Sequence, residues 1–295
     1  CMSGYLYRPK RETSLERLLE IAAEGRRATG YDRISLIGAA ASDYSRIEEL
    51  CSELTDMGFM VSMPSLRIES LTETLLDTLA GGGLRTVTVA PESTMKIRRS
   101  LNKPIEDSMV LEKTGMALEM GLRVKMYFLI GVPGETSEDL RELASFMKKL
   151  SDMRRGAVSF SVNPLIPKPH TPMQWEGYDS KTLKKKIRFM RNLLKGLPVK
   201  FAGPRNGLIQ YVLSCGGPDV GKLLEMAASS RVPFREWERH TPGWRPGDRL
   251  PWNNIDLGFR EDFLMEEYIK MKRGILTDWC DESGCHGCMR KGCRG

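Results

Sequence analysis

The segment KMYFLIGVPGET, residues 125–136, joins an apolar run to a turn rich in glycine and proline. The run Val124–Ile130 has the length and composition of a buried strand, and Glu138–Leu150 carries apolar side chains at helical spacing. A strand that passes through a short turn into a helix is the repeating unit of parallel α/β sheets. This segment therefore predicts an α/β fold in which the carboxyl end of a strand opens onto a glycine-containing turn.

The same strand-then-helix unit recurs along the chain. Apolar runs predict further strands at Ile34–Ile37, Phe59–Met63, Thr86–Ala90 and Val158–Val162, and helical periodicity marks Leu15–Ala28, Ile47–Met57, Leu71–Leu79 and Ser108–Met120. This alternation predicts a parallel sheet with right-handed crossovers. An open doubly wound sheet and a closed or partial barrel both fit, because periodicity does not distinguish them. In either arrangement the residues that follow the strands share one ligand-binding face.

The pattern changes after residue 197. A strand-like run, Val199–Ala202, is followed by short helical segments and a loop rich in proline, tryptophan and arginine. The last amphipathic helix, Glu261–Met271, leads into a cysteine-rich segment. We therefore expect three parts: a core over residues 1–197, a mainly helical C-terminal extension over residues 198–278, and a metal-binding tail over residues 279–295.

The composition is that of a globular chain, with 41% hydrophobic and 28% charged residues among 295. No apolar run approaches the roughly 20 residues that a membrane span requires, and no signal-peptide pattern is present. We expect a cytoplasmic protein without a membrane partner. The net charge of +7 is too mild to establish a nucleic-acid partner. Basic residues cluster at Lys181–Arg191 and Lys270–Arg273, which predicts either solvated helix faces or a surface for phosphates such as those of RNA.

The C-terminal tail holds four cysteines within fourteen positions, interrupted by glycines: Cys280, Cys285, Cys288 and Cys293. Four thiolates at this spacing can surround one metal centre, and both tetrahedral zinc and an iron–sulfur cluster take such a set. Free or disulfide-bonded thiols are the alternative, which a cytoplasmic location disfavours. The sequence therefore predicts a metal site in the tail, holding zinc or an iron–sulfur cluster.

Several segments, in chain order, resemble the radical S-adenosylmethionine superfamily. Residues 1–11, CMSGYLYRPKR, resemble the segment that starts with the third cysteine of its Cys-x3-Cys-x2-Cys signature, in the branch whose members often carry an upstream cobalamin-binding domain. The other matches are SLIGAAASD at 35–43, VSMPSLR at 61–67, VTVAPES at 87–93, LNKP at 101–104, KMYFLIGVPGET at 125–136, PKPHTPMQW at 167–175 and PWNNIDLG at 251–258. Their joint order is more specific than any single match.

This resemblance implies a partial (β/α)6 barrel of the TIM type, of which the chain lacks the first strand and the two cysteines that precede Cys1 in the signature. In the family, three such cysteines hold a 4Fe-4S cluster, and S-adenosylmethionine chelates its open iron. We therefore expect Cys1 to be one cluster ligand, with flavodoxin or ferredoxin as electron donor and cobalamin as a cofactor of the upstream domain. The segment would then hold an incomplete active site.

The resemblance also implies which strand-end residues bind S-adenosylmethionine. Glu92 would accept hydrogen bonds from the ribose hydroxyls, and Arg67 would pair with the methionyl carboxylate, with a salt bridge to a neighbouring helix as its alternative. Glycines in the turn after residue 130 would permit close approach of the backbone to the adenine. The expected cofactor-binding residues are Gly38, Ala39, Ala40, Ser65, Arg67, Glu92, Ser93, Gly131, Pro133 and Gly134. No catalytic side chain is assigned.

Three functions follow as hypotheses. The first is a radical S-adenosylmethionine enzyme, a transferase that modifies a substrate the sequence does not identify, with methylation as one such reaction. The second is a methylthiotransferase-like enzyme that acts on RNA or protein and holds an auxiliary cluster at the C-terminal cysteines. The third is a non-catalytic RNA-binding module stabilised by zinc. His170, in the proline-rich loop after the last predicted core strand, is expected either to be structural or to line the substrate side of the site.

Overall fold

The structure, a computed structural model, describes residues 3–4, 7, 10–38, 40–259 and 262–278. Its strands alternate with helices as expected: α1 (Leu15–Thr29), β1 (Arg33–Ser35), α2 (Ile47–Asp56), β2 (Met60–Ser62), α3 (Glu73–Gly81), β3 (Thr86–Glu92), α4 (Met95–Ser100), α5 (Asp107–Glu119), β4 (Arg123–Ile130), α6 (Ser137–Asp152), β5 (Val158–Pro164), α7 (Ser180–Leu193) and β6 (Val199–Phe201). The extension follows as α8 (Pro204–Cys215), α9 (Val220–Ser229), α10 (Phe234–Glu238) and α11 (Phe263–Arg273). The predicted α/β class and the mainly helical extension are confirmed.

The strands are parallel and neighbour each other in chain order. β1 pairs with β2, and β3, β4, β5 and β6 form a second sheet in that sequence. Just after β2, the Leu66 N–H donates to the Thr88 carbonyl in β3 at 2.9 Å, which carries the hydrogen bonding from one sheet to the other. A doubly wound sheet requires a reversal of strand order, whereas a barrel wall does not. The order therefore favours the partial barrel over the doubly wound alternative.

Strand burial explains how the sheet is covered. In β4, Val124, Met126, Phe128 and Ile130 are buried, and the residues between them are partly exposed. This period of two is that of a strand with one face on the core. Helix α6 covers the sheet with apolar residues at helical spacing, Leu140, Leu143, Met147 and Leu150. Each buried leucine contributes about 2 kcal/mol relative to an exposed one.

Local capping fixes the start of α6. The Thr136 side chain accepts from the Asp139 N–H, and the Asp139 carboxylate accepts from the Thr136 N–H at 2.7 Å, which forms a reciprocal capping box. Lys96 of α4 also donates to the Asp139 carboxylate at 2.7 Å. The start of α6 is therefore tied to the helix that follows β3, next to the carboxyl ends of both strands.

Strand β6 departs from the expected organisation. Phe160, Ser161 and Val162 of β5 pair with Val199, Lys200 and Phe201. The strand therefore belongs to the same sheet as β3 to β5, although we expected residues from 198 onward to lie in the appended region. The sequence pattern predicted a strand here, but the sequence of so short a strand does not indicate which other strand it pairs with.

The extension has its own apolar cluster. Tyr178 stacks on Tyr211 at a ring distance of 5.9 Å, and Trp244 meets Trp252 edge-on at 6.3 Å. Leu183 of α7 belongs to this cluster, whereas Ile187 and Met190 of the same helix belong to the core of the sheet. Helix α7 therefore joins the two apolar clusters. Among the described residues, no helix is both long and apolar enough to cross a membrane.

Candidate functional site

The loops that follow successive strands meet at one edge of the sheet. After β1, the Ser42 hydroxyl accepts from the Arg67 N–H of the loop after β2 at 3.0 Å. After β5, the Leu165 N–H donates to the Ile130 carbonyl at the end of β4, at 2.8 Å. Parallel strands place all their carboxyl ends on the same side, which is where ligands bind in barrels and in doubly wound sheets. This edge holds the candidate site.

Glu92 ends β3 in an unusual backbone conformation. Its φ is +69°, in the left-handed region that non-glycine residues rarely adopt. The pairing register with β4 shifts between Val89 and Glu92. The Ser93 N–H donates a hydrogen bond to the Pro91 carbonyl at 2.9 Å. A register shift at a strand end re-aims a side chain, and backbone strain of this kind clusters at functional sites. Glu92 is therefore the strongest candidate among the predicted ligand contacts.

Among the described residues, Lys103 is the cation that contacts the Glu92 carboxylate. Lys103 Nζ donates to Oε1 at 3.1 Å and to the Ala90 carbonyl at 2.5 Å. In the part of the chain that the structure describes, the other oxygen, Oε2, accepts no hydrogen bond, and the side chain remains 22% exposed. A partly exposed carboxylate oxygen at the strand edge can accept a hydroxyl donor. Lys103 was not among the predicted site residues, although the LNKP segment that carries it was noted.

A buried arginine supports the turn after Glu92. Arg98 of α4 is fully buried, and its Nε donates to the Ser93 carbonyl at 2.7 Å. Its terminal nitrogens contact the Ile105 carbonyl and the Asp107 carboxylate. Ser93 itself is buried at 1% exposure, so it lies beneath the edge rather than on it. Arg98 was not predicted, because the sequence of a short basic helix does not reveal which carbonyls an arginine will reach.

Arg67 is held by two carboxylates. Its Nη1 donates to Asp43 at 2.6 Å and its Nη2 to Glu69 at 2.8 Å. Asp43 lies in the loop after β1, and Glu69 lies two residues after Arg67 in the loop after β2. Arg67 therefore forms salt bridges, although with carboxylates of two loops and not of a neighbouring helix, which was the alternative. Its pairing with a methionyl carboxylate stays a prediction that would require these contacts to rearrange.

The turn after β4 is built on two glycines and a buried carboxylate. Gly131 and Gly134 have φ values of +85° and +83°. The Gly131 N–H donates to Glu135 Oε2 at 2.8 Å, and Lys186 of α7 donates to the same oxygen at 2.7 Å. Burial raises the pKa of Glu135, while Lys186 acts in the opposite direction. Pro133, between the two glycines, is partly exposed at the site edge.

The remaining predicted residues lie on more open loops. Gly38 and Ala40, after β1, and Ser65, after β2, are exposed. Ala39 lies outside the described residues. Cys1, Cys280, Cys285, Cys288 and Cys293, the expected metal ligands, also lie outside them. The described residues contain no cluster of metal-ligating side chains, and Cys51 and Cys215 are buried free thiols.

His170 combines strain with a buried, unpaired nitrogen. Its φ is +54°, and burial lowers its pKa, which favours the neutral imidazole. Within the described chain its Nε2 has no hydrogen-bond partner. Its N–H donates to Gln174 Oε1, which also accepts from Trp252 of the extension at 2.9 Å. The structure thus ties the loop after β5 to the extension, and the two predicted roles for His170 stay open.

Comparison with known proteins shows a related family. The family model described as Radical SAM superfamily matches residues 1–147. The uncharacterized protein MJ0966 of Methanocaldococcus jannaschii is 34% identical over 265 residues, which cover 87% of this chain and 59% of that protein. Ribosomal protein uS12 methylthiotransferase RimO of Hahella chejuensis is 25% identical over 121 residues, which cover 40% of this chain and 28% of that protein. The chain thus spans less than two thirds of the length of these relatives.

Two solved structures share part of the fold. SuiB of Streptococcus suis, bound to S-adenosylmethionine, aligns over 67% of this chain and 45% of its own, with a TM-score of 0.46 and 15% identity. The radical S-adenosylmethionine methyltransferase TsrM of Kitasatospora setae, with cobalamin and a 4Fe-4S cluster bound, aligns over 52% and 31%, with a TM-score of 0.42 and 16% identity. At these scores neither structure adds a functional argument.

Proposed function

Because this chain belongs to the radical S-adenosylmethionine superfamily, whose members are enzymes that use a 4Fe-4S cluster, we propose that its strand-end edge binds S-adenosylmethionine for radical chemistry. The observation that carries this proposal is Glu92. Its positive φ, the shift in strand register and the hydrogen bond from Lys103 direct a partly exposed carboxylate to the edge. Ribose hydroxyls are the donors that such a carboxylate would accept.

The other residues of the edge fit the same ligand by their chemistry. Gly134 of the turn after β4 has no atom within 4 Å of where a Cβ would lie, which leaves room for the backbone to approach a flat base. Glu135 holds that turn through the Gly131 N–H. Arg67 offers a guanidinium for a carboxylate, once it exchanges Asp43 or Glu69 for the ligand. Gly38, Ala40 and Ser65 present small side chains on exposed loops. These residues would bind and orient the ligand.

Cys1, together with two further cysteines of a Cys-x3-Cys-x2-Cys signature, would hold the 4Fe-4S cluster. When bound, the cluster supplies the electron that cleaves the sulfonium, with a flavodoxin or ferredoxin as its source. Such donors imply a cytoplasmic location. The chain's own residues would position the substrate and exclude water. The transferase reaction, its substrate and a cobalamin cofactor of the complete protein belong to this proposal.

The test is reductive cleavage of S-adenosylmethionine by the complete protein, reconstituted anaerobically with iron and sulfide and supplied with dithionite as reductant. We expect 5′-deoxyadenosine to form in the wild type, and Cys1→Ala to abolish its formation. Cys51→Ala is the matched control, because Cys51 is buried in α2 and has no role in the proposed site. Unchanged turnover in Cys1→Ala would contradict the cluster assignment. The absorbance spectrum of the purified complete protein tests for cobalamin.

A methylthiotransferase-like reaction is the second candidate. The local similarity to RimO favours it, together with four tail cysteines that would hold an auxiliary cluster. Metal analysis of the reconstituted protein separates the possibilities. A second iron–sulfur cluster supports this candidate, and one zinc per chain excludes it. Zinc without any cleavage of S-adenosylmethionine would instead favour the non-catalytic RNA-binding module.

A further inference from the structure

The positive charge of this protein is concentrated in one stretch of sequence. Residues 180–218 contain nine basic residues and no acidic ones. Without these nine of the 45 basic residues, 36 remain against 38 acidic ones in the rest of the chain. The net charge of +7 therefore originates in α7, β6 and the start of α8. The net charge of the whole chain is mild although this one segment is strongly basic.

The basic side chains of α7 form a stripe on the solvent side of the helix. Lys181, Lys184, Lys185, Arg188 and Arg191 are exposed, at the spacing of three and four residues that keeps side chains on one helical face. The opposite face is apolar and buried through Leu183, Ile187 and Met190. At 1.5 Å per residue, the stripe runs for about 15 Å.

The cations of this stripe have no carboxylate partners in the part of the chain that the structure describes. In the described chain, none of these five side chains forms an ion pair with a carboxylate, whereas Lys186, on the inner side, pairs with Glu135. The second basic cluster of the sequence behaves differently. Its Lys270 pairs with Glu267, and its Lys272 pairs with Glu176. Among the described residues, two of the three cations on α11 are thus paired with carboxylates, whereas none of the five on α7 is.

Aromatic rings lie beside the stripe. Lys184 Nζ lies 4.4 Å from the centre of the Phe234 ring, and the Arg205 guanidinium approaches the same ring at 6.0 Å. Arg191 lies 5.4 Å from the Phe201 ring. Both rings are only partly buried. Arg205 of α8 therefore adjoins the stripe, and a polyanion that follows the cations would pass over aromatic faces on which bases can stack.

We propose that Lys181, Lys184, Lys185, Arg188, Arg191 and Arg205, which we call the α7 basic surface, bind single-stranded RNA. The apolar face of α7 is already buried, so the helix cannot insert into a lipid surface as a membrane-bound amphipathic helix does. Helices α6 and α8 pack against α7, which keeps the helix from entering a duplex groove. A single strand remains as the partner that fits both features, because its phosphates can bind the cations and its unpaired bases can contact the rings.

The position of the surface links it to the candidate site. Leu183 packs on Gly131, and Lys186 donates to the Glu135 carbonyl at 3.1 Å, so the first half of α7 lies against the turn after β4. An RNA strand on the α7 basic surface would therefore run beside the strand-end edge. The inference concerns binding alone and does not depend on radical chemistry.

The test is fluorescence anisotropy of a labelled 15-nucleotide single-stranded RNA with the complete protein, without S-adenosylmethionine. Lys184→Gln/Lys185→Gln/Arg188→Gln removes three charges from the surface. The matched control, Arg33→Gln/Arg85→Gln/Arg123→Gln, removes three exposed charges at the amino ends of β1, β3 and β4. We expect the surface variant to bind about 100-fold more weakly at 0.1 M salt, and the slope of log K against log salt to become shallower by about 2.

The charge-conserving variant Lys184→Arg/Lys185→Arg/Arg188→Lys should keep wild-type affinity for RNA. If the neutral variant fails to fold, this second variant still tests whether positive charge at these positions is sufficient for binding. Equal losses in the surface and control variants would overturn the proposal, because general attraction by net charge would then explain binding. Absence of RNA binding by the wild type would overturn it as well. So would stronger competition by polyglutamate or by phosphatidylserine vesicles than by unlabelled RNA. None of these results would alter the proposed cleavage of S-adenosylmethionine.

Discussion

Asn102 and Thr277 exchange two hydrogen bonds across 175 residues of chain. Asn102 Nδ2 donates to the Thr277 carbonyl at 3.0 Å, and the Thr277 N–H donates to Asn102 Oδ1 at 2.9 Å. Lys103, the next residue, contacts Glu92 at the end of β3. The loop after α4 therefore joins the end of the described extension to the candidate site.

Removal of the Asn102 side chain should release this connection. Asn102 has a φ of +51°, so Asn102→Gly keeps the backbone conformation while it removes both side-chain hydrogen bonds. We expect faster amide hydrogen exchange at residues 275–277 and a loss of about 1 kcal/mol in unfolding free energy. Exchange at wild-type rates would show that other contacts hold this segment.

The turn after β4 should tolerate substitution at one glycine better than at the other. In Gly131→Ala a Cβ would overlap Leu183 Cδ2, whereas Gly134→Ala meets no atom within 4 Å. Both positions have positive φ, which costs an alanine about 1–2 kcal/mol. Overpacking adds about 1–3 kcal/mol at Gly131 alone. Urea denaturation of the two variants measures the difference, and equal losses would mean that Leu183 moves aside freely.

Lys186→Met should destabilise the protein strongly. Glu135 is buried, and Lys186 is its cationic partner at 2.7 Å. Loss of one partner of a buried pair costs about 3–5 kcal/mol, because an uncompensated charge stays buried. The double variant Glu135→Gln/Lys186→Met removes that charge and should recover part of the loss in chemical denaturation. No recovery would assign the effect to packing of the lysine stem.

The same pair predicts a pH dependence. Burial raises the pKa of Glu135 in the folded protein above the usual range of a glutamate. A carboxyl group whose pKa is raised by folding stabilises the protein at low pH, and this contribution is lost as the pH rises through the folded pKa. In Lys186→Met the opposing cation is absent, so the pKa of Glu135 should rise further. As the pH rises through that pKa, unfolding free energy should fall more steeply than in the wild type. Denaturation at pH 4 to 7 checks this. In the control, Glu135→Gln/Lys186→Met, this contribution to the pH dependence should be absent.

Glu92→Ala should weaken binding of S-adenosylmethionine to the complete, reconstituted protein. The expected loss is about 1–3 kcal/mol, as for a charged hydrogen-bond acceptor. Glu119→Ala is the matched control, since Glu119 is an exposed carboxylate at the end of α5, just before β4 begins. Isothermal titration calorimetry gives both dissociation constants. An unaltered constant in Glu92→Ala would remove Glu92 from the site.

Much of the fold could be predicted from local pattern. Val124–Ile130 was expected as a strand and occurs as Arg123–Ile130, and Glu138–Leu150 was expected as a helix and occurs as Ser137–Asp152. Such segments are long and strongly periodic, so the order of apolar and polar residues along them predicts which side chains are buried. For the site, the pattern placed Glu92 and Gly131 at strand ends. Lys103, Arg98 and Lys186 were missed because their partners are distant in sequence or are backbone carbonyls.

The sequence by itself determined the alternation of strands and helices, the edge on which ligands bind and the concentration of basic residues on α7, because each depends on the order and spacing of side chains along the chain. Only the tertiary structure decided which strands are neighbours and that β6 joins the sheet. It also decided the strained φ of Glu92 and the pairing of Arg67 with Asp43 and Glu69. It also separated the α7 cations from Lys270 and Lys272 of α11, which pair with carboxylates. These properties depend on distances between residues far apart in sequence, which are established when the chain packs.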